Sequence, residues 1–166
     1  MRVPTQPVVP DRQKIKTQLD ELTAVARSLN EVSDELTMHV SDIEEAINKL
    51  NLGISANVVF SNVASEDGMT SDYWRLAYGK EAGEWGLIIE FGHEDLNWPE
   101  NDSVKGWLFR DAPRDRRLQA IERIPELMAA LLKSAQKYTS DVSQKLEYAR
   151  NLAATFAPAP KAEGKK

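Results

Sequence analysis

The sequence predicts an α+β fold, in which a long N-terminal helix, a four-stranded antiparallel meander, a short helix and a long C-terminal helix follow one another. Three observations predict it: an uninterrupted heptad repeat over residues 11–51, two-residue periodicity over 54–110, and 3-4 spacing over 125–157. We expect the two long helices to pack as an antiparallel stalk or bundle, with the sheet as its head. At this length we treat residues 11–157 as a single α+β domain.

The heptad repeat is the strongest pattern in the chain. Large apolar residues recur at every seventh position: Ile15, Leu22, Leu29, Leu36, Ile43 and Leu50. A second series lies four residues after each of the first five: Leu19, Ala26, Ser33, Val40 and Ile47. Val25 and Val32 widen this stripe beyond the two positions that a two-stranded coiled coil uses, and no ladder of opposite charges flanks it. A stripe of this width is typical of a helix with more than one neighbour.

Residues 54–110 contain alternating segments separated by polar, turn-rich ones, which predicts about four antiparallel strands. The clearest hairpin is the aromatic segment 73–92. With a turn at Lys80–Gly83, its register places Tyr78 opposite Trp85, Leu76 opposite Leu87, and Trp74 opposite Ile89. We expect these six side chains to form the buried face of the sheet.

The opposite face of the sheet is the predicted partner-binding surface. Tyr73, Arg75, Glu90 and Asn57 alternate away from the apolar positions, with Ser55 beside them and Lys105 or Trp107 as further candidates. Tyr, Trp and Arg are the residue types that protein interfaces prefer. An ordinary solvated face would account for the same pattern.

After the sheet the chain becomes helical again. Residues 112–124 predict a short helix with Asp111 as its N-cap and Pro113 in its first turn. A long helix follows from Pro125, because proline is tolerated at the first helical position. The helices therefore cover 112–157.

A cluster of arginines lies at the start of this helical region. Five of them fall within the fourteen residues of Arg110–Arg123. Arg114, Arg116 and Arg117 in the first helical turns are candidates for binding an anion, together with the backbone amides there. The alternative is a solvated face in which Asp111 and Asp115 neutralise them.

Catalytic and metal-binding patterns are weaker. The loop His93–Asp102 carries several carboxylates that suit a hard cation, but their spacing matches no known calcium loop. Glycine-rich phosphate loops and the usual hydrolase and metalloprotease motifs are absent from the sequence. We therefore predict no catalytic residue, no metal and no cofactor, and keep a hydrolase using the His93 loop as a third hypothesis.

Composition limits the function further. A net charge of −5 disfavours a protein whose whole surface binds nucleic acid. The absence of cysteine excludes disulfides, and no apolar run approaches a membrane span, so we expect a cytoplasmic protein that does not enter the membrane. The proline-containing ends, 1–10 and 158–166, are predicted to be disordered tails.

Together these patterns predict a non-enzymatic assembly protein, such as an adaptor or regulatory subunit. It would bind another protein, or itself as a homo-oligomer, through the helices of 11–51 and 125–157, and present a sheet face to a partner. The alternative is a nucleic-acid- or phosphate-associated regulator acting through the Arg110–Arg123 cluster.

Overall fold

The computed structural model describes residues 11–156 of the chain. Its helices and strands follow the predicted order: α1 (Arg12–Lys49), β1 (Ala56–Ala64), β2 (Thr70–Glu81), β3 (Glu84–Asp95), β4 (Ser103–Leu108), α2 (Arg114–Ile121) and α3 (Ile124–Phe156). The strands form one antiparallel sheet in the order β1-β2-β3-β4. The α+β class, the long N-terminal helix, the four-stranded meander and the C-terminal helices are confirmed. The predicted tails, 1–10 and 158–166, lie outside the described residues.

The chain divides into two compact units after Glu45, within α1. The described part of the first unit, residues 11–45, is one continuous helix, which the side chain of Asp11 caps by accepting hydrogen bonds from the backbone N–H groups of Gln13 and Lys14. The second unit contains the last turn of α1, the sheet, α2 and α3. The single domain over 11–157 and the antiparallel stalk stay predictions.

The end of α1 follows from its sequence. The helix stops at Lys49, and Asn51 and Gly53 both adopt positive φ, at 47° and 62°. Asparagine and glycine tolerate this left-handed backbone better than other residues, so the chain can leave the helix there and turn toward β1.

The predicted hairpin register is wrong by two residues. The strands pair Tyr78 with Leu87, Leu76 with Ile89, and Trp74 with Phe91. The turn is therefore a tight two-residue one at Ala82 and Gly83, which both have positive φ, as a type I′ turn requires. Because side chains alternate with a period of two, a two-residue shift changes every cross-strand partner and leaves every residue on its predicted face.

The core of the second unit lies between one face of the sheet and the helices. Leu76, Leu87 and Ile89 are fully buried on this inner face, and Leu127 of α3 is fully buried as well. Helix α3 packs against β1 and β2, while α2 packs beside β3. The six side chains predicted for the buried face of the hairpin therefore all lie on the inner face, although Trp85, at the tip of the hairpin, remains 37% exposed.

The hydroxyl of Tyr78 anchors the sheet to the end of α1 inside the second unit. It donates a hydrogen bond of 2.6 Å to the side-chain oxygen of Asn48, and the amide nitrogen of Asn48 donates in turn to the backbone carbonyl of Trp85. A buried hydroxyl needs such a partner, because leaving it unpaired costs the full desolvation penalty.

The start of α2 differs from the prediction. A short 3₁₀ turn takes up residues Phe109–Asp111, and Pro113, without a side-chain hydrogen bond, occupies the N-cap position predicted for Asp111. The fixed φ of proline allows the chain to enter the helix at Arg114 without a polar cap. Asp111 is thus placed before the helix rather than at its cap.

Candidate functional site

All four predicted partner-binding residues lie on the outer face, the side of the sheet away from the Leu76 side chain. Asn57 in β1 pairs with Ala77 in β2, and Arg75 in β2 pairs with Glu90 in β3. Since side chains at alternate positions share a face, Asn57, Arg75 and Glu90 project on the same side across three adjacent strands. This face is the candidate functional site of the second unit.

A cross-strand ion pair fixes the centre of the outer face. Nε of Arg75 donates a hydrogen bond to Oε2 of Glu90, and the two side chains are only 27% and 17% exposed. Burial lowers the pKa of Arg75, but the hydrogen bond and the negative charge of Glu90 outweigh this effect and raise the pKa above its usual value. Arg75 is therefore held charged, and the hydrogen bond keeps both side chains in a defined position.

Tyr73 is mostly buried and packs against this ion pair. Its side chain is 9% exposed, and the guanidinium of Arg75 lies 5.5 Å from the centre of its ring. The ring lies over Gly92 on the next strand, where an added Cβ would come within 2.1 Å of the ring carbon Cζ. Only glycine leaves room for the ring there, so Tyr73 orients Arg75 and offers little surface of its own.

A shallow depression of about 210 Å³ lies beside the ion pair. Small or buried residues form its floor: Ala77, Gly79 and Ile88. Arg75 and Glu90 line it with Asn57 and Lys80. The depression thus combines an apolar floor with polar and charged groups around it, a composition that suits a side chain of a binding partner.

The structure places Lys105 and Trp107 on the inner face, contrary to the prediction that either adds to the outer face. Trp107 pairs with Ile89 and stacks on Trp74 at 5.8 Å between ring centres. The ammonium of Lys105 lies 4.8 Å from the centre of the Trp107 ring. The register of β4 against β3 determines which face these two side chains occupy. The sequence of the short polar loop before β4 does not specify that register.

The arginines of the anion-binding hypothesis are spread over different contacts. The guanidinium of Arg116 lies 4.5 Å from the centre of the Trp74 ring, and its Nε lies 3.2 Å from a carboxylate oxygen of Asp115. Arg114 and Arg117 also have interaction partners in the structure. Arginine beside a tryptophan ring and a carboxylate is already stabilised by both.

The arginines at the two ends of the cluster form ion pairs with carboxylates. Arg110 forms an ion pair with Glu84 at 3.0 Å, and Arg123 forms one with Glu126 at 2.6 Å. The cation–aromatic contact of Arg116 with Trp74 is the feature that sequence reasoning missed, because it depends on how α2 crosses the sheet.

The acidic loop uses its carboxylates to hold its own backbone. Asp95 accepts hydrogen bonds from the backbone N–H groups of Asn97 and Trp98, and Asp102 accepts one from the N–H of Asp95. Burial raises the pKa of Asp95, but the hydrogen bonds from Asn101, Trp98 and Asn97 outweigh this effect and lower the pKa. Among the described residues, no group of three or more potential ligands is arranged to hold a metal ion.

His93 is engaged with a carboxylate on the neighbouring strand. It lies directly opposite Asp72, and its Nδ1 is 2.6 Å from Oδ1 of that residue. The hydrogen bond to Asp72 raises the pKa of His93 above its usual value of 6.5, since it favours the protonated ring. This pair lies near the open end of the β2–β3 hairpin, two residue pairs before the ladder ends.

In the first unit, the apolar stripe of α1 is open to solvent over residues 15–32. Six large aliphatic side chains between residues 15 and 32 are each between 50% and 64% exposed: Ile15, Leu19, Leu22, Val25, Leu29 and Val32. They recur at the spacing of one helix face, so they form a continuous apolar surface rather than scattered residues.

Helix α3 carries a second exposed apolar series after its buried start. Leu131 is 2% exposed, but the large side chains that follow at helical spacing are each at least 45% exposed: Tyr138, Val142, Leu146 and Leu152. Both long helices thus contain apolar side chains beyond those that the folded core uses.

The chain was compared with protein-family models, curated proteins and solved structures, and none of them matches. Within residues 11–156, no helix is long and apolar enough to cross a membrane.

Proposed function

We propose that this protein is a non-enzymatic assembly protein of the cytoplasm that self-associates through α1 and presents the outer face of its sheet to a protein partner. Its assembly surface is the apolar stripe of α1, and its recognition surface is the depression beside Arg75 and Glu90. In the His93–Asp102 loop, Asp95 and Asp102 hold a turn and His93 forms a cross-strand pair with Asp72.

The observation that carries the proposal is the exposure of the α1 stripe. Six large aliphatic side chains in eighteen residues are at least half exposed. Burying a side chain of this size contributes about 1.5–3 kcal/mol, and most of that gain is unrealised while these six side chains are at least half exposed. A second helix laid along the stripe would recover it, as in coiled coils.

The outer face supports the second half of the proposal. Its ion pair is fixed by a hydrogen bond and by the ring of Tyr73, so a partner would meet charges that are already oriented. Preorganised groups of this kind reduce the entropy lost on binding. The floor at Ala77 and Ile88 offers apolar contact next to these charges.

The runner-up, a nucleic-acid- or phosphate-associated regulator, has one favourable observation. The contact between Arg116 and Trp74, beside Trp107, resembles the mixture of cations and aromatic rings that proteins use to bind single-stranded nucleic acids. However, Arg110 and Arg123 are paired with carboxylates, which reduces the positive charge available to phosphates.

Light scattering after size-exclusion chromatography tests the proposal. The protein should elute as a dimer or larger species at high micromolar concentration and dissociate on dilution. The variant Leu22→Gln/Leu29→Gln should be monomeric at the same concentration, because both positions lie at the centre of the stripe. Glutamine retains good helix propensity, so the helix itself should persist.

The matched control is Asp20→Gln/Arg27→Gln. These residues lie on the opposite side of α1 from Leu22 and Val25 in a helical projection, and the pair of changes leaves the net charge unaltered. The control should assemble like the unmodified protein. A strictly monomeric unmodified protein, or equal assembly of both variants, would contradict the proposal.

A further inference from the structure

We propose that α1 pairs with α1 of a second copy in antiparallel orientation, with the twofold axis beside Leu22 and Val25. This inference rests on the proposed self-association and adds its orientation and register. It is carried by the exposed stripe together with the distribution of charge along the helix.

Charge is segregated along α1. Arg12, Lys14 and Lys16 lie in its first five residues, preceded by the capping carboxylate of Asp11. Residues 31–45 contain six carboxylates and no lysine or arginine. Two parallel copies would align like charges at both ends, whereas antiparallel copies place the basic end of each helix beside acidic residues of the other.

The apolar side chains fit one antiparallel register. Exposed residues recur on this face at alternating steps of three and four, with the exposed Leu19 flanking them: Ile15, Gln18, Leu22, Val25, Leu29 and Val32. Antiparallel packing sets Ile15 against Val32 of the second copy and Leu22 against Val25, each contact occurring twice by symmetry. A third contact, also repeated by symmetry, pairs Leu29 with Gln18 of the second copy. The three contacts, each occurring twice, make six layers, of which four are purely aliphatic.

The same register creates a specific pair of charges. Lys14 and Glu35 lie at equivalent flanking positions of the stripe, one before Ile15 and one three residues after Val32. In antiparallel coiled coils such positions meet across the interface, so Lys14 would face Glu35 of the second copy twice. The side chain of Glu35 is 68% exposed in the structure, with the ring of His39 at 3.9 Å, and is accessible to this contact.

The interface is also long enough to be specific. The span from Ile15 to Val32 covers eighteen residues, or roughly 27 Å of helix. The six layers bring twelve mostly aliphatic side chains together, and each of the large ones is at least half exposed in the single chain. The second copy is the occupant that the sequence itself supplies at equal concentration and with complementary charge.

A disulfide experiment measures the orientation directly, because the natural chain contains no cysteine. The Lys14→Cys and Glu35→Cys proteins are mixed in equal amounts and oxidised mildly. The antiparallel arrangement predicts mainly mixed disulfides that join the two different variants, identified by mass spectrometry. Predominant disulfides between two copies of the same variant would overturn the inference and indicate parallel pairing, while leaving self-association intact.

Charge reversal provides an independent readout. Lys14→Glu and Glu35→Lys should each raise the dissociation constant roughly tenfold, since each places like charges together twice. The combined Lys14→Glu/Glu35→Lys chain should restore the original constant, because the pairs are re-formed with reversed sign. Arg27→Glu, on the opposite side of the helix, is the control and should change the constant less than about twofold.

The outcomes separate this inference from the proposed function. If the unmodified protein does not assemble at all, self-association fails and the orientation with it. The antiparallel register is wrong, and the assembly proposal stands, if the protein assembles but the combined variant is not rescued. The same conclusion follows if the thiol introduced at position 14 forms no disulfide with either variant while assembly persists.

Discussion

The contact between Tyr73 and Gly92 makes the outer face sensitive to a single added methyl group. Gly92→Ala would place a Cβ 2.1 Å from Cζ, 2.3 Å from the hydroxyl oxygen and 2.6 Å from Cε1 of the tyrosine ring. Ordinary contacts between carbon atoms are about 3.5–4.0 Å, so the ring must move by more than about 1 Å. Tyr73 is 9% exposed and has Arg75 over its ring, and the shift therefore disturbs the candidate site as well.

Two estimates bound the loss of unfolding free energy that Gly92→Ala causes. Forcing a methyl group into a packed site while the ring adjusts costs about 1–3 kcal/mol. Expelling the ring completely would expose at least about 150 Å² of aromatic surface, or roughly 4 kcal/mol, so the adjustment is the cheaper response. We expect Gly92→Ala to lower the free energy of unfolding by about 2 kcal/mol.

Urea denaturation followed by tryptophan fluorescence measures this effect, because all four tryptophans lie between residues 74 and 107 of the second unit. In a Tyr73→Ala background the same substitution should become neutral or favourable, since alanine suits a strand better than glycine by about 0.5–1 kcal/mol. Gly79→Ala is the matched control, with its nearest contacts at an ordinary 3.6 Å. An equal cost of Gly92→Ala with and without Tyr73 would refute the steric explanation.

Two further predictions concern the sheet and its helix. We expect His93 to titrate at a higher pH in the folded protein than in an unfolded chain, because its cross-strand carboxylate raises its pKa. Proton NMR measures this titration, and the His93→Gln variant assigns the signal. Because the folded state binds this proton more tightly, the stabilisation is complete below the unfolded pKa near 6.5 and is lost as pH rises through the folded pKa. His93→Gln should therefore flatten the fall in stability between mildly acidic and mildly basic pH, and an unchanged slope would contradict the role of the pair. Leu127→Ala, at a fully buried position of α3, should cost about 2–5 kcal/mol, whereas Leu132→Ala, 61% exposed, should cost less than about 0.5 kcal/mol. Urea denaturation at one fixed protein concentration compares them, and similar costs would show that α3 is packed differently.

The elements of the fold were predictable because each has its own local signal. A five-heptad repeat without proline or glycine specifies a long helix, and Asn51 and Gly53 specify its end. Alternation in residues 73–92 specifies which side chains share a face. The register was not predictable in this way, since a two-residue shift preserves every face, and the turn that decided it placed Ala82 in a left-handed conformation.

The candidate site was predictable only as a set of residues on one face. Alternation put Asn57, Arg75 and Glu90 on the outer side, and the structure brings them around one depression. The observed register pairs Arg75 with Glu90, whereas the predicted register would set Arg75 opposite Ile88. That Tyr73 is buried over Gly92 follows from the missing side chain on the neighbouring strand.

The sequence by itself determined the order of the elements, the faces of β2 and β3 and the apolar stripe of α1, because periodicity is a local property of the chain. Only the tertiary structure decided the cross-strand partners, the placement of Lys105 and Trp107 on the inner face, and the contact of Arg116 with Trp74. These depend on how strands and helices meet across many residues, where small differences in turn geometry and packing select among arrangements that have the same periodicity.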